Sequence, residues 1–434
     1  MASPAPEFRR VLRLRDLVLY GIVVIQPTAP MPIFGVVSQQ ARGHVVTALL
    51  IAMVAMLATA ISYGRMARVY PSAGSAYSYV GKELHPGLGY LTGWSIAMDY
   101  LLNPIICTIW CSKAAANFMP GVPYVVYAVF FALLFTMLNL RGIETSARVS
   151  EVMAAAMGVV VLVFFWYAAR YIMYQPNLSL ATFARPFYDP ATFSWSLVSS
   201  GTAIAVLTYI GFDSVSTLSE EAENPRRNIL LATVLTCVIT GVLGSLQVYA
   251  GQLVWPDFQH YPDVDTAFVY IAGRAGGQML FTVLNLTLLV ATVGSGFGSQ
   301  LAAARLMYGM GRDNAIPRKF FGTLDPVRQI PRNNVLFSGV VALLGALTLT
   351  YALGAELLNF GAFIAFMGVN ASAFVRNCIH EHKRGVGDWA PPVIGFVVCF
   401  YIWLSLSPPA KIAGSIWLCV GLLYGATRGS LRRA

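Results

Sequence analysis

An aspartate interrupts a long apolar run near the middle of the chain. The stretch AIAVLTYIGFDSVSTLSEE, residues 203–221, is apolar enough for a membrane until it reaches Gly211 and Asp213. Burying an aspartate near the bilayer centre costs about 2.5 to 3.5 kcal/mol on insertion scales, so Asp213 needs an aqueous cavity or a partner. Gly211 favours an opening of the helix, because glycine lowers helix propensity by about 1 kcal/mol relative to alanine. The alternative is a kinked structural helix capped by Asp213.

Prolines break a second apolar run near the N-terminus. The segment IQPTAPMP, residues 25–32, contains Pro27, Pro30 and Pro32, and each proline inside a helix costs about 3 kcal/mol. Non-helical backbone at membrane depth is tolerated only where it is buried in protein or lines a water-filled cavity. Two broken spans in corresponding halves of a chain are typical of an inverted-repeat secondary transporter with its site at the midplane.

The composition indicates a polytopic, all-α membrane protein that holds these two breaks. Hydrophobic residues make up 57% of the 434 residues, charged residues 11%, and the mean hydropathy is +0.65. Apolar runs of about 20 residues predict about twelve transmembrane helices and no soluble domain between them. The predicted spans are 17–41, 45–70, 87–117, 122–140, 146–174, 193–220, 227–250, 273–310, 334–352, 354–379, 390–406 and 410–428.

The basic residues predict the orientation of the chain. With the N-terminus taken as cytoplasmic, most Lys and Arg residues fall in inner loops, which favours both termini inside. The net charge of +10 is then explained by loops that face anionic lipid, without nucleic acid. We expect no cleavable signal peptide, a bacterial inner membrane as the location, and a monomer or weak oligomer.

The sequence offers no catalytic motif, and we expect neither an enzyme nor a bound cofactor or metal. The glycines of 294–298 lie within an apolar span, where close helix approach explains them better than a phosphate loop. The six cysteines fall in or near the predicted spans and are interpreted as packing residues. Cys378, His380 and His382 alternate with charged residues in a basic turn and have no fourth ligand for a metal.

Five segments carry a resemblance to a known family. They are FGVVSQQARGHV (34–45), AISYGRMARVYPSAGSAYSYV (60–80), GYLTGWSIAMDYLLNP (89–104), YIGFDSVSTLSEEAENPRRNI (209–229) and YGMGRDNAIP (308–317). With these segments the chain resembles the amino acid/polyamine/organocation superfamily, and within it the bacterial putrescine-importer branch. The resemblance implies a LeuT-like fold with two inverted five-span repeats, 17–174 and 193–379, followed by accessory helices in 390–428.

Within that fold, the two breaks and the third span supply the candidate substrate-binding residues. The resemblance implies that open helix ends offer carbonyls and amides to a ligand, with Phe212 as a hydrophobic gate. The candidates are Gln26, Pro27, Thr28, Ala29, Asp99, Tyr100, Asn103, Thr208, Tyr209, Ile210, Gly211, Phe212 and Asp213. Asp99 could instead be a structural carboxylate. We assign Glu220 and Glu221 to an inner gate or ion pair beside Arg226 and Arg227.

The charges near the breaks favour a cationic amine such as putrescine. The resemblance implies that amino acid carriers hold a carboxylate on amides of the first break, yet prolines donate none. Asp99 and Asp213 meet no Lys or Arg near either break in the sequence. Against a diamine, Pro32 replaces the acidic residue that the resemblance implies for putrescine importers. A neutral or cationic amino acid permease or exchanger remains the alternative, and a channel or transceptor is the alternative from another class.

The coupling ion, H⁺ or Na⁺, is left open by the sequence. Some relatives within the superfamily are expected to carry a coupling lysine on the fifth span, where this chain has Met157. Thr292, Ser295 and Ser299 could supply hydroxyl oxygens to a sodium ion, although helix packing also explains them. Proton coupling through Asp99 or Glu220, and uncoupled exchange, are further alternatives.

Overall fold

The computed structural model describes residues 12–70, 75–141, 147–176, 179–219, 222–312, 316–326 and 330–428. This described part is built from α-helices, with one isolated β-bridge between Leu12 and Ala222. The helices are α1 (Leu14–Ile25), α2 (Pro30–Gln40), α3 (Val45–Val69), α4 (Ser75–Glu83), α5 (Pro86–Ala116), α6 (Tyr124–Leu140), α7 (Ala147–Met173), α8 (Leu180–Ala184), α9 (Trp195–Ala205), α10 (Ser214–Thr217), α11 (Pro225–Val254), α12 (Ala267–Arg312), α13 (Arg318–Phe321), α14 (Arg332–Thr348), α15 (Tyr351–Phe374), α16 (Val386–Leu404) and α17 (Pro408–Arg428).

The helices account for the predicted spans. In the described ranges, 8 helices are long and apolar enough to cross a membrane, and α1 with α2 forms a further, bent span. The shorter apolar helices α6 and α14 and the 31-residue α5 coincide with the remaining predicted spans. The all-α architecture with about twelve spans is therefore confirmed, whereas the repeat limits 17–174 and 193–379 and the accessory pair 390–428 stay predictions.

Some helix boundaries differ from the prediction. α15 begins at Tyr351, earlier than the predicted 354, because the Thr350 side chain caps it by accepting a hydrogen bond from Leu353 N at 3.2 Å. α12 runs from Ala267 to Arg312, beyond the predicted 273–310, and bends at Gly277, whose φ is 73°. Hydropathy marks the apolar centre of a span, while side-chain caps and exposed polar turns set its ends.

The first predicted break is present between α1 and α2. The two helices meet at an angle of 55°, and Gln26 has φ 73° and ψ 133°. A non-glycine residue with positive φ is strained and persists only where its surroundings hold it. Pro30 begins α2, a position where its missing N–H costs nothing. The prolines therefore end one helix and start the next.

The second predicted break lies between α9 and α10 and packs against the first. The 3₁₀ turn Val206–Tyr209 follows α9, and Gly211 has φ 116° before α10 begins at Ser214. A Cβ atom on Gly211 would lie 3.0 Å from Val24 Cγ1 and 3.3 Å from Ile25 Cγ1. Glycine is needed here both for the backbone angle and for the approach to α1.

Successive long helices run in opposite directions, which gives the bundle two ends. The proximal face contains Leu12 and Arg312, and the distal face contains Gln40 and Ala267. At the proximal face, Glu223 N donates to Leu12 O at 2.8 Å, so the start of α1 is fixed beside α11. At the distal face, Gln40 Nε2 donates to Ser200 Oγ at 2.7 Å, which joins α2 to α9.

The outer surface of the bundle is apolar. Trp166 and Leu162 on α7 are 70% and 67% exposed, and Leu423 on α17 is 69% exposed. Exposed apolar patches of this extent mark contact with lipid or another protein. Because the same helices are long and apolar enough to span a bilayer, lipid is the environment that suits them.

Candidate functional site

A cavity of about 880 Å³ lies where the two breaks face α5, α7, α12 and α15. Its walls combine two carboxylates, amide and hydroxyl groups, and several aromatic rings. The lining residues are Tyr20, Val23, Val24, Ile25, Gln26, Ala29, Pro32, Ile33, Tyr63, Ile96, Asp99, Tyr100, Asn103, Ile106, Cys107, Trp110, Met153, Ala154, Met157, Leu207, Ile210, Gly211, Asp213, Ser214, Thr292, Gly294, Ser295, Phe297, Gly298, Ser299, Leu301, Ala302, Arg305, Tyr351, Ala362, Ala365 and Phe366.

One face of α5 supplies the first carboxylate. Asp99, Asn103 and Trp110 line the cavity at positions i, i+4 and i+11, which share one helical face. Among the described residues, no hydrogen bond or ion pair satisfies the Asp99 carboxylate. Asn103 Oδ1 accepts a hydrogen bond from the Cys107 thiol at 3.1 Å. Asp99 is therefore available to a cationic ligand, and Tyr100 lines the same cavity beside it.

The break between α9 and α10 supplies the second carboxylate. Ile210, Gly211 and Asp213 line the cavity. The Gly211 carbonyl accepts from Ser214 N at 3.1 Å, and the Asp213 carbonyl accepts from the Ser216 hydroxyl at 2.7 Å. The Ile210 carbonyl has no protein donor within the ranges that the structure covers. This break thus presents a carboxylate and an open carbonyl, both of which suit an ammonium group.

The break between α1 and α2 contributes less to the cavity than predicted. Gln26 and Ala29 line it, whereas Pro27 and Thr28 do not. The Pro27 carbonyl accepts from Gln247 Nε2 at 2.8 Å, and the buried Thr28 hydroxyl donates to Met157 Sδ at 3.7 Å. The polar groups of Pro27 and Thr28 therefore bind neighbouring helices instead of facing a ligand.

Three predicted residues of the other break also lie outside the cavity lining. Thr208, Tyr209 and Phe212 are fully buried. The Tyr209 hydroxyl donates to Leu49 O at 2.9 Å, which turns this ring toward α3. Phe212 packs edge-on against Tyr63, with ring centroids 5.6 Å apart. Phe212 thus supports a cavity wall from behind, and of these two rings only that of Tyr63 lines the cavity.

The hydroxyl residues of α12 that are candidates for an ion site face the cavity. Thr292, Ser295 and Ser299 all line it. The Ser299 hydroxyl donates to Ser295 O at 2.8 Å within its own helix. Gln26 Nε2 donates to Ala291 O at 3.0 Å, so the first break contacts the same helix. The structure thus brings together the three hydroxyl groups of the possible sodium site, and the amide N–H of Gln26 lies beside their helix.

Among the lining residues that the sequence analysis did not assign to the site are Arg305, Trp110 and Tyr351. Arg305 on α12 is exposed and lines the proximal end of the cavity, which corrects the expectation of no cation near the breaks. Its spacing of eleven residues from Gly294 places both on one helical face and could have revealed it. Trp110 shares the face of Asp99 by the same rule. Tyr351 begins α15, and no local pattern in the sequence relates it to the breaks.

The cavity is closed toward the distal face. Trp110 is 1% exposed and Tyr351 4% exposed. Above them, Lys113 Nζ lies 3.2 Å from Asp263 and 3.9 Å from Asp265, which joins α5 to the loop before α12. Burial, together with the charge of Asp263, raises the pKa of Asp265 to about 6. Because Arg305 is exposed, the cavity opens toward the proximal face.

The carboxylates of the predicted inner gate cannot be placed in the structure. Glu220 and Glu221 lie outside the described residues. Nearby on the proximal face, Glu83 of α4 has a side chain that is 1% exposed. It accepts hydrogen bonds from the Tyr70 hydroxyl at 2.8 Å and from His380 Nδ1 at 2.6 Å. A carboxylate thus fixes α4 to the π-helical turn Val375–His380 that ends α15.

Comparison with known proteins places this cavity in a transport family. The sequence profile described as "Amino acid permease" matches residues 27–426. The Escherichia coli K12 protein named "Low-affinity putrescine importer PlaP" is 32% identical over 96% of this chain and 93% of its own length.

More distant relatives carry other names. The "Branched-chain amino acid permease BcaP" of Lactococcus lactis is 26% identical over 98% of this chain and 96% of its own length. The "Methylthioribose transporter" of Bacillus subtilis is 25% identical over 97% of this chain and 94% of its own length. The matched span, the identity and the broken helices agree: the chain belongs to the amino acid permease family and is an integral membrane transport protein.

Proposed function

We propose that the protein carries a small cationic amine, with putrescine favoured, across the bacterial inner membrane by alternating access. The observation that supports this is the Asp99 carboxylate, which has no partner among the described residues and shares one cavity with Asp213 and the Ile210 carbonyl. A buried charge without a partner is costly, so a cationic ligand that pairs with Asp99 is stabilised. The relative named as a putrescine importer supports the same ligand class.

The first break supports an amine without a carboxylate. A carboxylate site on a helix break needs free backbone N–H groups. Pro27, Pro30 and Pro32 have none, and Ala29 N donates to Gln26 O at 3.1 Å. The aromatic rings of Tyr63 and Trp110 line the cavity instead, where they suit an alkyl chain or an ammonium group.

Arg305 supports a second candidate, an amino acid. Its guanidinium group lies in the same cavity as the two carboxylates and could bind a substrate carboxylate in a bidentate way. The relative named as a branched-chain amino acid permease is consistent with this candidate. We favour the amine, because Arg305 lies at the exposed end of the cavity, about 9 Å along the α12 axis beyond Ser299 at a rise of 1.5 Å per residue.

We further propose that the proximal face is cytoplasmic and that the structure is open to the inside. Basic residues concentrate in the loops of this face, as the positive-inside rule requires. Labelling of Cys378 by a membrane-impermeant maleimide in inside-out vesicles, compared with Cys378→Ser, tests the orientation. Labelling confined to right-side-out vesicles would contradict it.

Ligand-dependent melting of the detergent-purified protein tests the substrate class. A ligand that binds only the folded state raises the melting temperature by mass action. We expect stabilisation by putrescine and its homologues, with little effect of leucine or of other zwitterions. Stabilisation by amino acids together with no response to diamines would favour the Arg305 candidate and reject the amine.

A further inference from the structure

Three of the four residues between α1 and α2 are hydrogen-bonded to three different helices. Gln26 Nε2 donates to Ala291 O of α12 at 3.0 Å, Gln247 of α11 binds the Pro27 carbonyl, and Thr28 binds Met157 of α7. Of these contacts, the one from Gln26 crosses to the helix that carries the hydroxyls of the predicted sodium site. Gln26 also has a strained backbone with φ 73°, which persists only where the surrounding structure holds it.

The polarity of this contact is set by chemistry. A backbone carbonyl can only accept, so the NH₂ group of Gln26, and not its oxygen, faces Ala291 O. A hard cation at this place would need oxygen ligands. Instead, an N–H group of Gln26 bonds the Ala291 carbonyl and places a partial positive charge beside it. This donor opposes a sodium ion between the first break and α12, although the Ser299 hydroxyl, which donates to Ser295 O, keeps its oxygen lone pairs free.

We propose that Gln26 takes the place of a bridging cation. Its uncharged amide joins the first break to α12 and makes the carrier independent of sodium. The inference rests on the proposed transport function, in which the first break moves relative to α12 during each cycle. With a bridging cation, the contact between the first break and α12 would form only while the ion is bound. An amide hydrogen bond makes the contact in any ionic medium and can break and re-form without one.

Substitution of the donor by an acceptor tests the proposal. In Gln26→Glu, a carboxylate faces the Ala291 carbonyl, so it needs either a proton or a cation between the two oxygens. Gln26→Leu removes the hydrogen bond without adding a charge. Gln40→Glu is the matched control, since the Ser200 hydroxyl that binds Gln40 can donate to a carboxylate and needs no cation.

The readout is the melting temperature of each purified protein in NaCl and in choline chloride of equal ionic strength, between pH 5.5 and 8. We expect equal melting temperatures in both salts for the unmodified protein, for Gln26→Leu and for Gln40→Glu. Gln26→Glu should melt several degrees higher in sodium than in choline at pH 8, or should regain stability on acidification. A saturable increase of the melting temperature of the unmodified protein with sodium would overturn the proposal. A Gln26→Glu variant whose melting temperature changes neither with sodium nor with acidification would also overturn it.

This experiment contains no substrate, so its outcome does not depend on which solute is carried. If diamines fail to bind while the Gln26 variants behave as expected, only the proposed substrate class is wrong. Uptake by proteoliposomes extends the test. Uptake of the amine by the unmodified protein should proceed at the same rate in sodium and in choline, and a strict requirement for sodium would contradict the assignment of Gln26.

Discussion

Gly211 and Val24 hold the two helix breaks against each other. Gly211 has φ 116°, and a Cβ atom on it would lie 3.0 Å from Val24 Cγ1. The backbone angle and the close approach both exclude a larger residue at this position. The two halves of the cavity therefore meet at a glycine, and the relative position of Asp213 and the first break depends on this contact.

Gly211→Ala should reduce both stability and transport. The added methyl group strains the backbone, which costs about 1 to 3 kcal/mol for a residue forced into a sparsely populated region. The measurement is the melting temperature and the uptake rate in proteoliposomes. Gly158→Ala on α7 is the control, because nothing lies within 4 Å of its added Cβ atom and alanine favours a helix. Equal melting temperatures for the two variants would show that the breaks do not need this contact.

Asp99→Asn should weaken transport of cationic amines while leaving the fold intact. The variant keeps the shape of the side chain and removes a charge that lines the cavity and has no partner in the part of the chain that the structure describes. Hydrogen bonds to charged groups contribute about 1.5 to 3 kcal/mol, which corresponds to a roughly 10- to 100-fold rise in KM. Uptake kinetics of labelled putrescine measure this effect. Asp257→Asn in the exposed distal loop is the control, and an unchanged KM in Asp99→Asn would exclude Asp99 from the site.

Glu83→Gln should destabilise the proximal face more than Glu381→Gln. The buried Glu83 carboxylate accepts from Tyr70 and His380, whereas the more exposed Glu381 pairs with Arg376 at 3.0 Å and Lys383 at 2.7 Å. Loss of a buried charged acceptor costs about 1 to 3 kcal/mol, and loss of a surface ion pair costs about 0 to 1 kcal/mol. Thermal unfolding in detergent compares the two variants, and equal losses would mean that burial of Glu83 adds nothing.

Asp265 should give the distal face a distinctive dependence on pH. Burial raises its pKa from 3.8 to about 6, so the folded protein binds this proton more tightly than the unfolded chain. The carboxyl group therefore stabilises the fold below about pH 4, and this contribution is lost as the pH rises through about 6. The difference in melting temperature between Asp265→Asn and the unmodified protein should grow from pH 4.5 to 7.

Asp257 provides a control of opposite sign. A hydrogen bond from Gln259 N at 2.9 Å, together with His260, lowers the pKa of Asp257. This group adds stability above its unfolded pKa and loses it on acidification, so the advantage of Asp257→Asn should not grow toward neutral pH. Parallel pH profiles for the two variants would contradict the raised pKa of Asp265. Both variants keep the titratable groups that surround Asp265, namely Tyr124, Tyr351, Asp263 and Lys113.

The sequence predicted the helices and their breaks because these depend on local chemistry. Prolines 27, 30 and 32 cannot continue a helix, and Gly211 permits a backbone angle that other residues resist. It did not predict which side chains face inward within a break. Consecutive residues of an irregular turn have no fixed period, so Phe212 and Asp213 point in different directions although they are neighbours.

Residues distant in sequence were the hardest to assign. Arg305 lies 92 positions from Asp213 in a chain of 434 residues. Only the packing of α12 brings it to the cavity. The α5 residues could be related to one another from the sequence alone, since helical periodicity places Trp110 on the same face as Asp99. The partners of Pro27 and Thr28 lie on α11 and α7, so their withdrawal from the cavity depended on tertiary contacts.

Uptake of labelled putrescine by proteoliposomes, with and without unlabelled putrescine inside, is the decisive measurement for a cationic-amine carrier. We expect saturable uptake that internal putrescine accelerates, that other diamines inhibit and that leucine leaves unchanged. Internal substrate accelerates a carrier that alternates around one site and does not accelerate a channel. Uptake of leucine without any uptake of putrescine would contradict the proposed substrate and would assign Arg305 to a substrate carboxylate.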